Sequence, residues 1–231
     1  MNNFPANQEP KNLEKDVNID HAKNTLLTHV RKYENIFTKN EIDLIYNTID
    51  LTSNENTTEV RIYGQKAWFT NLPEEIKNRV AQQMKIIHNQ DLKLEEISFA
   101  RYSNKYSNTP ILTPHYDNAF RQPRVTLDVQ LKSNINWPIV VEGKEIQLGD
   151  NDAVTFSGTH QIHWRAPLEF KDGDFIDMLF CHFSLKDSMP ITLNEKEKIE
   201  SKMMRFSSEF ASRLMRENTY LKQLVRKYTN E

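Results

Sequence analysis

The spacing of hydrophobic residues changes three times along the chain, and each change marks an expected boundary. Residues 1–34 are polar and rich in Lys and Asn; they read as a leader, with a helix expected only around Ile19–Tyr33. From Phe37 the period is helical. Ile42, Ile45 and Ile49 follow Thr38 and Glu41, which stand at the spacing of a capping box. A second helix is expected from Pro73 to His88. Proline stands at its start, Glu74 and Glu75 lie in the first turn, and Ile76, Val80 and Met84 share one face. Together these make residues 35–93 an N-terminal helical support.

Between residues 94 and 186 the period shortens to two. The segment RVTLDVQL alternates cleanly: Val125, Leu127, Val129 and Leu131 lie on one face, Thr126, Asp128 and Gln130 on the other. Around it stand ISFARY, ILTPHYD, WPIVVEG, KEIQL, DAVTFSG, IHWRAP and DFIDMLFCHF, most of them divided by Gly, Asp or Asn turn signals. Pro114 places its segment at an edge or a bulge, because proline cannot donate to a strand ladder. About eight short strands at this spacing indicate a mainly β fold with flanking helices, a sandwich or jelly-roll barrel whose two sheets pack face to face. Gly143, Gly149 and Gly158 are expected at turns that need positive φ. Trp137 and Trp164 are expected to pack in the core or at its rim. Residues 187–231 return to a helical period, with Ile199, Met203, Phe206, Phe210 and Leu214 in one stripe continued by Leu221, Leu224 and Tyr228. The stripe either packs on the outside of the barrel or forms the seam of a homodimer. All four segments are read as one domain.

Composition narrows the class. With 30 basic and 32 acidic residues the formal charge is -2, so there is no broad cationic field for general nucleic-acid binding. The single cysteine, Cys181, excludes an intrachain disulfide. The polar start and the lack of any long apolar run point away from a secretory signal or a membrane span and towards a cytoplasmic location.

The chemistry-bearing residues sit in the β region. His115 and Asp117 are two apart on an expected strand, so both face the same way. One further histidine from a distant strand completes a two-His, one-carboxylate set, the facial arrangement that leaves positions open on a non-heme iron(II) ion. The candidates are His160, His163 and His182. His163 is preferred because it opens the strand-like IHWRAP; His160 lies in the preceding turn, and His182 lies late in an apolar strand, where a hydrogen-bonded core histidine is the simpler reading.

The ordered set FARYSNKYSNTPILTPHYDN, then RVTLDVQLKSNINWPIVVEGKEIQLGDNDAVTFSGTHQIHWRAP, then DFIDMLFCHF resembles the iron(II)/2-oxoglutarate-dependent oxygenases, nearest their prolyl-hydroxylase-like branch. The resemblance covers roughly residues 97–185. It implies a double-stranded β-helix, cupin-like, with Fe(II) held by His115, Asp117 and His163. It also implies 2-oxoglutarate as cosubstrate, oxidised by O2 to succinate and carbon dioxide as a substrate is hydroxylated. Tyr102 matches the tyrosine that relatives carry on the strand before H-x-D, where it reaches 2-oxoglutarate. The sequence departs from the family where relatives place Arg or Lys on the last strand to bind the far carboxylate; DFIDMLFCHF has neither. Arg165 is the first substitute, since it shares a strand face with His163, followed by Lys171 and Arg124. Thr126, Asp128 and Gln130 are expected either to line the pocket or to face solvent. The expected substrate is a small molecule, an amino acid or a peptide. Two other readings use the same residues: a cupin-like protein that binds a ligand or metal without turnover, and a zinc hydrolase.

Overall fold

Alternation over the central region builds two facing sheets. The computed structural model describes residues 27–117, 123–185 and 191–217, with side chains in the last of these as far as Ser212. The strands are β1 (Arg31–Tyr33), β2 (Thr57–Val60), β3 (Gln65–Trp68), β4 (Leu92–Ser103), β5 (Leu112–His115) and β6 (Arg124–Ser133). They continue with β7 (Ile139–Val141), β8 (Lys144–Ile146), β9 (Asp152–Phe156), β10 (His163–Arg165) and β11 (Phe175–Leu185). The helices are α1 (Lys39–Thr48), α2 (Glu74–His88) and α3 (Leu193–Glu217). The large sheet runs β1-β9-β6-β11-β4-β3-β2 and the small one β5-β10-β7-β8. The eight strands β4–β11 are those the alternating segments foretold.

The alternation of β6 divides the core. Val125, Leu127, Val129 and Leu131 face α1 and α2, where they pack with Leu179, Cys181 and Phe183 of β11 and with Ile45, Ile76, Val80 and Met84 of the helices. The opposite face of the large sheet meets the small sheet across Tyr102, Trp137, Val141, Val154, Phe156, Ile176 and Met178. α1 begins as expected: the Thr38 hydroxyl accepts from the Glu41 N–H at 3.3 Å, and the Glu41 carboxylate accepts from the Thr38 N–H at 2.7 Å.

The stripe on α3 is used on the protein's own barrel. Ile199 and Phe206 are buried against Ile162, with Tyr116, Trp164 and Met203 packed around them. Gly143 has φ +81°, as its turn demands, and lies against the Phe206 ring. Leu221, Leu224 and Tyr228, which a dimer seam would also use, lie outside the described residues.

Three expectations are corrected. The helix placed over Ile19–Tyr33 ends in a strand instead: Arg31, Lys32 and Tyr33 pair with Thr155, Val154 and Ala153. Most of the rest of that helix falls outside the described residues. The segment 35–93, expected to be a helical support, also contains β2 and β3, and β3 extends the large sheet beside β4. Gly149 and Gly158 do not have positive φ. Gly149 instead donates its N–H to Asp152 at 2.7 Å, and Gly158 is required for a close approach described below.

One buried ion pair ties the large sheet to α1. Asp177 is fully buried and accepts from Arg101 at 2.6 and 2.8 Å and from the Tyr46 hydroxyl at 2.8 Å. Removing one member of a buried pair leaves the other desolvated and uncompensated. Asp177→Ala is therefore expected to lower unfolding stability by about 3–5 kcal/mol, read from chemical denaturation. A loss below about 1 kcal/mol would show that the pair behaves as a surface salt bridge.

Candidate metal centre and its pocket

His115, Asp117 and His163 each offer one ligand atom, and these three atoms lie within 4.8 Å of one another. β5 and β10 are neighbours in the small sheet, with His115 and His163 directly opposite in register. Their ring centroids are 4.2 Å apart. Pro114 sits in β5, which is an edge strand, so its missing N–H costs no ladder bond. The strand ends at His115, two residues earlier than the sequence suggested. What holds Asp117 in place is its N–H, which donates to the Gly158 carbonyl at 2.8 Å. Its Oδ1 stands 3.8 Å from His163 Nε2.

The histidine tautomers follow from their partners. His115 Nδ1 lies 2.7 Å from the Thr113 carbonyl, and His163 Nδ1 lies 3.1 Å from the Gln161 carbonyl. A carbonyl only accepts, so each Nδ1 carries the proton and each Nε2 keeps its lone pair for a ligand. Burial, and after it the neighbouring His115, push the His163 pKa down to about 4. The ring is therefore neutral at pH 7, the form that coordinates a metal. Two neutral imidazoles and one carboxylate fit a divalent first-row ion with open positions.

Gly158 packs directly on the Asp117 carboxyl. A Cβ there would stand 2.9 Å from Asp117 Cγ and still closer to Oδ2. This contact, between a turn residue and a carboxylate forty-one positions earlier, is what only glycine permits.

The cavity beside the three residues has a volume of about 180 Å³ and reaches Tyr102, Arg165, Thr126, Asp128 and His182. Arg165 is 3% exposed. Its guanidinium donates to the Trp137 carbonyl and lies over the Trp137 ring at 5.1 Å and the Tyr102 ring at 6.0 Å. Among the described residues no carboxylate stands within ion-pair distance of it. Burial lowers its pKa from the usual value, against the pull of Tyr102 and Asp128. A buried cation without a counter-ion is costly unless an anion occupies the space beside it. Tyr102 accepts from Gln65 at 3.1 Å, and burial pushes its pKa up to about 12, so its hydroxyl stays a neutral donor.

The other candidates separate clearly. Lys171 is exposed and Arg124 is half-buried at the start of β6; neither reaches the cavity. Gln130 turns to the Leu148 carbonyl at 3.2 Å and also stays out. His160 packs against Thr159, with Nδ1 2.8 Å from its hydroxyl. His182 is corrected: it is half-buried and lines the cavity rather than the core. Tyr63 and Gln65, from the region around β3, were missed by the sequence reading and line it too.

The two-sheet barrel is a double-stranded β-helix, and the convergent His-Asp-His group lies in its small sheet and the segment that follows β5. Among solved structures, the chain is similar to an oxidoreductase of the 2OG-Fe(II) oxygenase family from Burkholderia pseudomallei, at 12% identity and TM-score 0.50, covering 74% of this chain and 91% of that one. It is similar to a prolyl-4-hydroxylase from Pseudomonas putida at 14% identity and TM-score 0.52, covering 71% and 97%. It is also similar to the epimerase SnoN, solved with Fe3+, α-ketoglutarate and nogalamycin RO, at 11% identity and TM-score 0.53, covering 73% and 84%. No family model and no curated protein matches the sequence. At these identities the likeness is one of fold. No helix among the described residues is long and apolar enough to cross a membrane.

Proposed function

We propose that this protein is an iron(II)- and 2-oxoglutarate-dependent oxygenase that hydroxylates a small molecule, amino acid or peptide. Succinate and carbon dioxide are the coproducts, and the protein works in the cytoplasm. The observation that carries the reading is one cavity holding both a convergent His-Asp-His set and a buried arginine that lacks a carboxylate partner. His115, Asp117 and His163 would hold the metal, and Arg165 with the Tyr102 hydroxyl would hold the far carboxylate of 2-oxoglutarate. Arg165 thus replaces the last-strand cation of relatives by reaching the same carboxylate from the strand of the distal histidine.

The metal supplies the coordination and oxygen chemistry. The chain's own residues do the positioning. The Thr113 and Gln161 carbonyls fix the two imidazoles in the ligating tautomer. Gly158 leaves room for the Asp117 carboxylate. The guanidinium and the phenol orient the cosubstrate, and bidentate geometry at arginine gives that orientation its precision. Phe156 packs on the His163 ring at 4.8 Å and helps to exclude water from that side.

The direct test is anaerobic addition of iron(II) and 2-oxoglutarate. The reading requires the weak visible charge-transfer band of the chelate, and its loss in Asp117→Ala. A binding protein without the cosubstrate pocket, or a zinc hydrolase, gives no band. Succinate release with pooled candidate substrates then reports turnover.

A further inference from the structure

The metal ligands and Arg165 occupy the small-sheet side of the cavity. The facing wall, from the large sheet, carries polar groups that metal and cosubstrate binding leave unused. Thr126 and Asp128 of β6 and Phe180 and His182 of β11 all line the cavity. Register sets Thr126 opposite His182 and Asp128 opposite Phe180.

Asp128 is 6% exposed. Its Oδ1 accepts from the Thr126 hydroxyl at 2.5 Å. Among the described residues nothing donates to Oδ2, and no cation stands within ion-pair distance. By contrast, the buried Asp177 accepts three hydrogen bonds, two of them from a guanidinium. The fold thus satisfies one buried carboxylate completely and leaves the other half-satisfied, aimed into a ligand cavity. Burial raises the Asp128 pKa to about 6, and the nearby Asp117 adds to the rise while Thr126, His182 and Arg165 oppose it. A half-satisfied buried carboxylate is expensive unless a ligand donates to it.

Charge gives the sign of that ligand. A divalent ion, a dianionic cosubstrate, Asp117 and Arg165 together are neutral. The Asp128 carboxylate is then in excess; on the same wall the His182 imidazole is the one other group that could carry a balancing proton, and a cationic substrate balances the carboxylate directly. We infer that Asp128 is the specificity-determining residue of this pocket, and that the substrate presents a protonated primary amine to its free oxygen. The inference rests on the metal- and cosubstrate-binding reading of the same cavity. It narrows the substrate to amines small enough for a cavity of about 180 Å³.

The test compares n-butylammonium with butan-1-ol, a cationic and a neutral probe of the same length. Binding to the full-length protein loaded with Mn(II) and 2-oxoglutarate is followed by saturation-transfer NMR. Wild type is expected to bind the ammonium about tenfold more tightly than the alcohol. Asp128→Asn, whose amide oxygen can still accept from Thr126, is expected to bind both within about twofold, with unchanged Mn(II) affinity by electron paramagnetic resonance. Asp128→Glu, which keeps the charge, is expected to keep a preference. Asp128→Ser serves if the Asn variant does not fold.

Equal binding of both probes by wild type, or an undiminished preference in the Asn or Ser variant, overturns the inference. Failure of wild type to bind Mn(II) is a different result and counts against the oxygenase reading. The same NMR comparison on the metal-free protein then decides the amine site by itself: a preference lost in Asp128→Asn upholds it, and no preference ends it.

Discussion

Gly158→Ala is expected to weaken divalent-metal binding by about 100-fold while leaving the barrel folded. The added methyl group would occupy the space of the Asp117 carboxyl, 2.9 Å from Cγ. Asp117 follows the end of β5, and among the described residues its backbone is held by the bond to the Gly158 carbonyl, so the carboxylate is expected to yield more easily than the β9–β10 turn. The φ of Gly158 is negative, so alanine brings no backbone strain there, and the damage is confined to the carboxylate. Titration with Mn(II) measures the affinity, and thermal denaturation checks the fold. Metal affinity equal to that of wild type would show that Asp117 is not a ligand or that the turn gives way instead. Asp117→Ala provides the reference for complete loss of that ligand.

Arg165→Met is expected to raise the 2-oxoglutarate dissociation constant at least about 100-fold, because hydrogen bonds to a charged group contribute ~1.5–3 kcal/mol each and a guanidinium can make two. Methionine roughly fills the volume between the Tyr102 and Trp137 rings but leaves the Trp137 carbonyl without its donor. A modest stability loss of ~1–3 kcal/mol is therefore expected as well. Metal affinity separates the two effects, since Arg165 touches none of the three ligand residues. A variant that keeps metal binding and loses the charge-transfer band places the cosubstrate carboxylate at Arg165. A variant that keeps the band moves the anchor elsewhere.

Much of this site was legible in the chain because strand periodicity is strict. The alternation of RVTLDVQL separated an apolar from a polar face of β6, leaving open whether the polar face lines a pocket or meets solvent, and the structure places Thr126 and Asp128 of that face in the cavity. The pairing of His115 with His163 was expected from the strand pattern around IHWRAP and supported by the family resemblance, but their direct register opposition needed the structure. His182 was misplaced for a physical reason. Its strand is apolar on both faces, since one side packs on helices and the other on the small sheet, so hydrophobicity alone gives no alternation to read. The signal was its pairing with Thr126, a polar residue on the cavity side, and pairing is set by long-range register. The short β2 and β3 were missed because four-residue strands carry little periodic signal, and Tyr63 and Gln65 were missed with them.

The two walls of the cavity have separate owners. The small sheet and the turn leading into it provide His115, His163, Arg165 and the support of Asp117, whereas the large sheet provides Thr126, Asp128, Phe180 and His182. Under the proposed function, substitutions on β6 and β11 would change which molecule is accepted while leaving the metal ligands in place, and changes on β10 would act on both the ion and its cosubstrate at once. A library built to redirect this scaffold belongs on the cavity-facing positions of β6 and β11, with the small sheet and Tyr102 of β4 left intact.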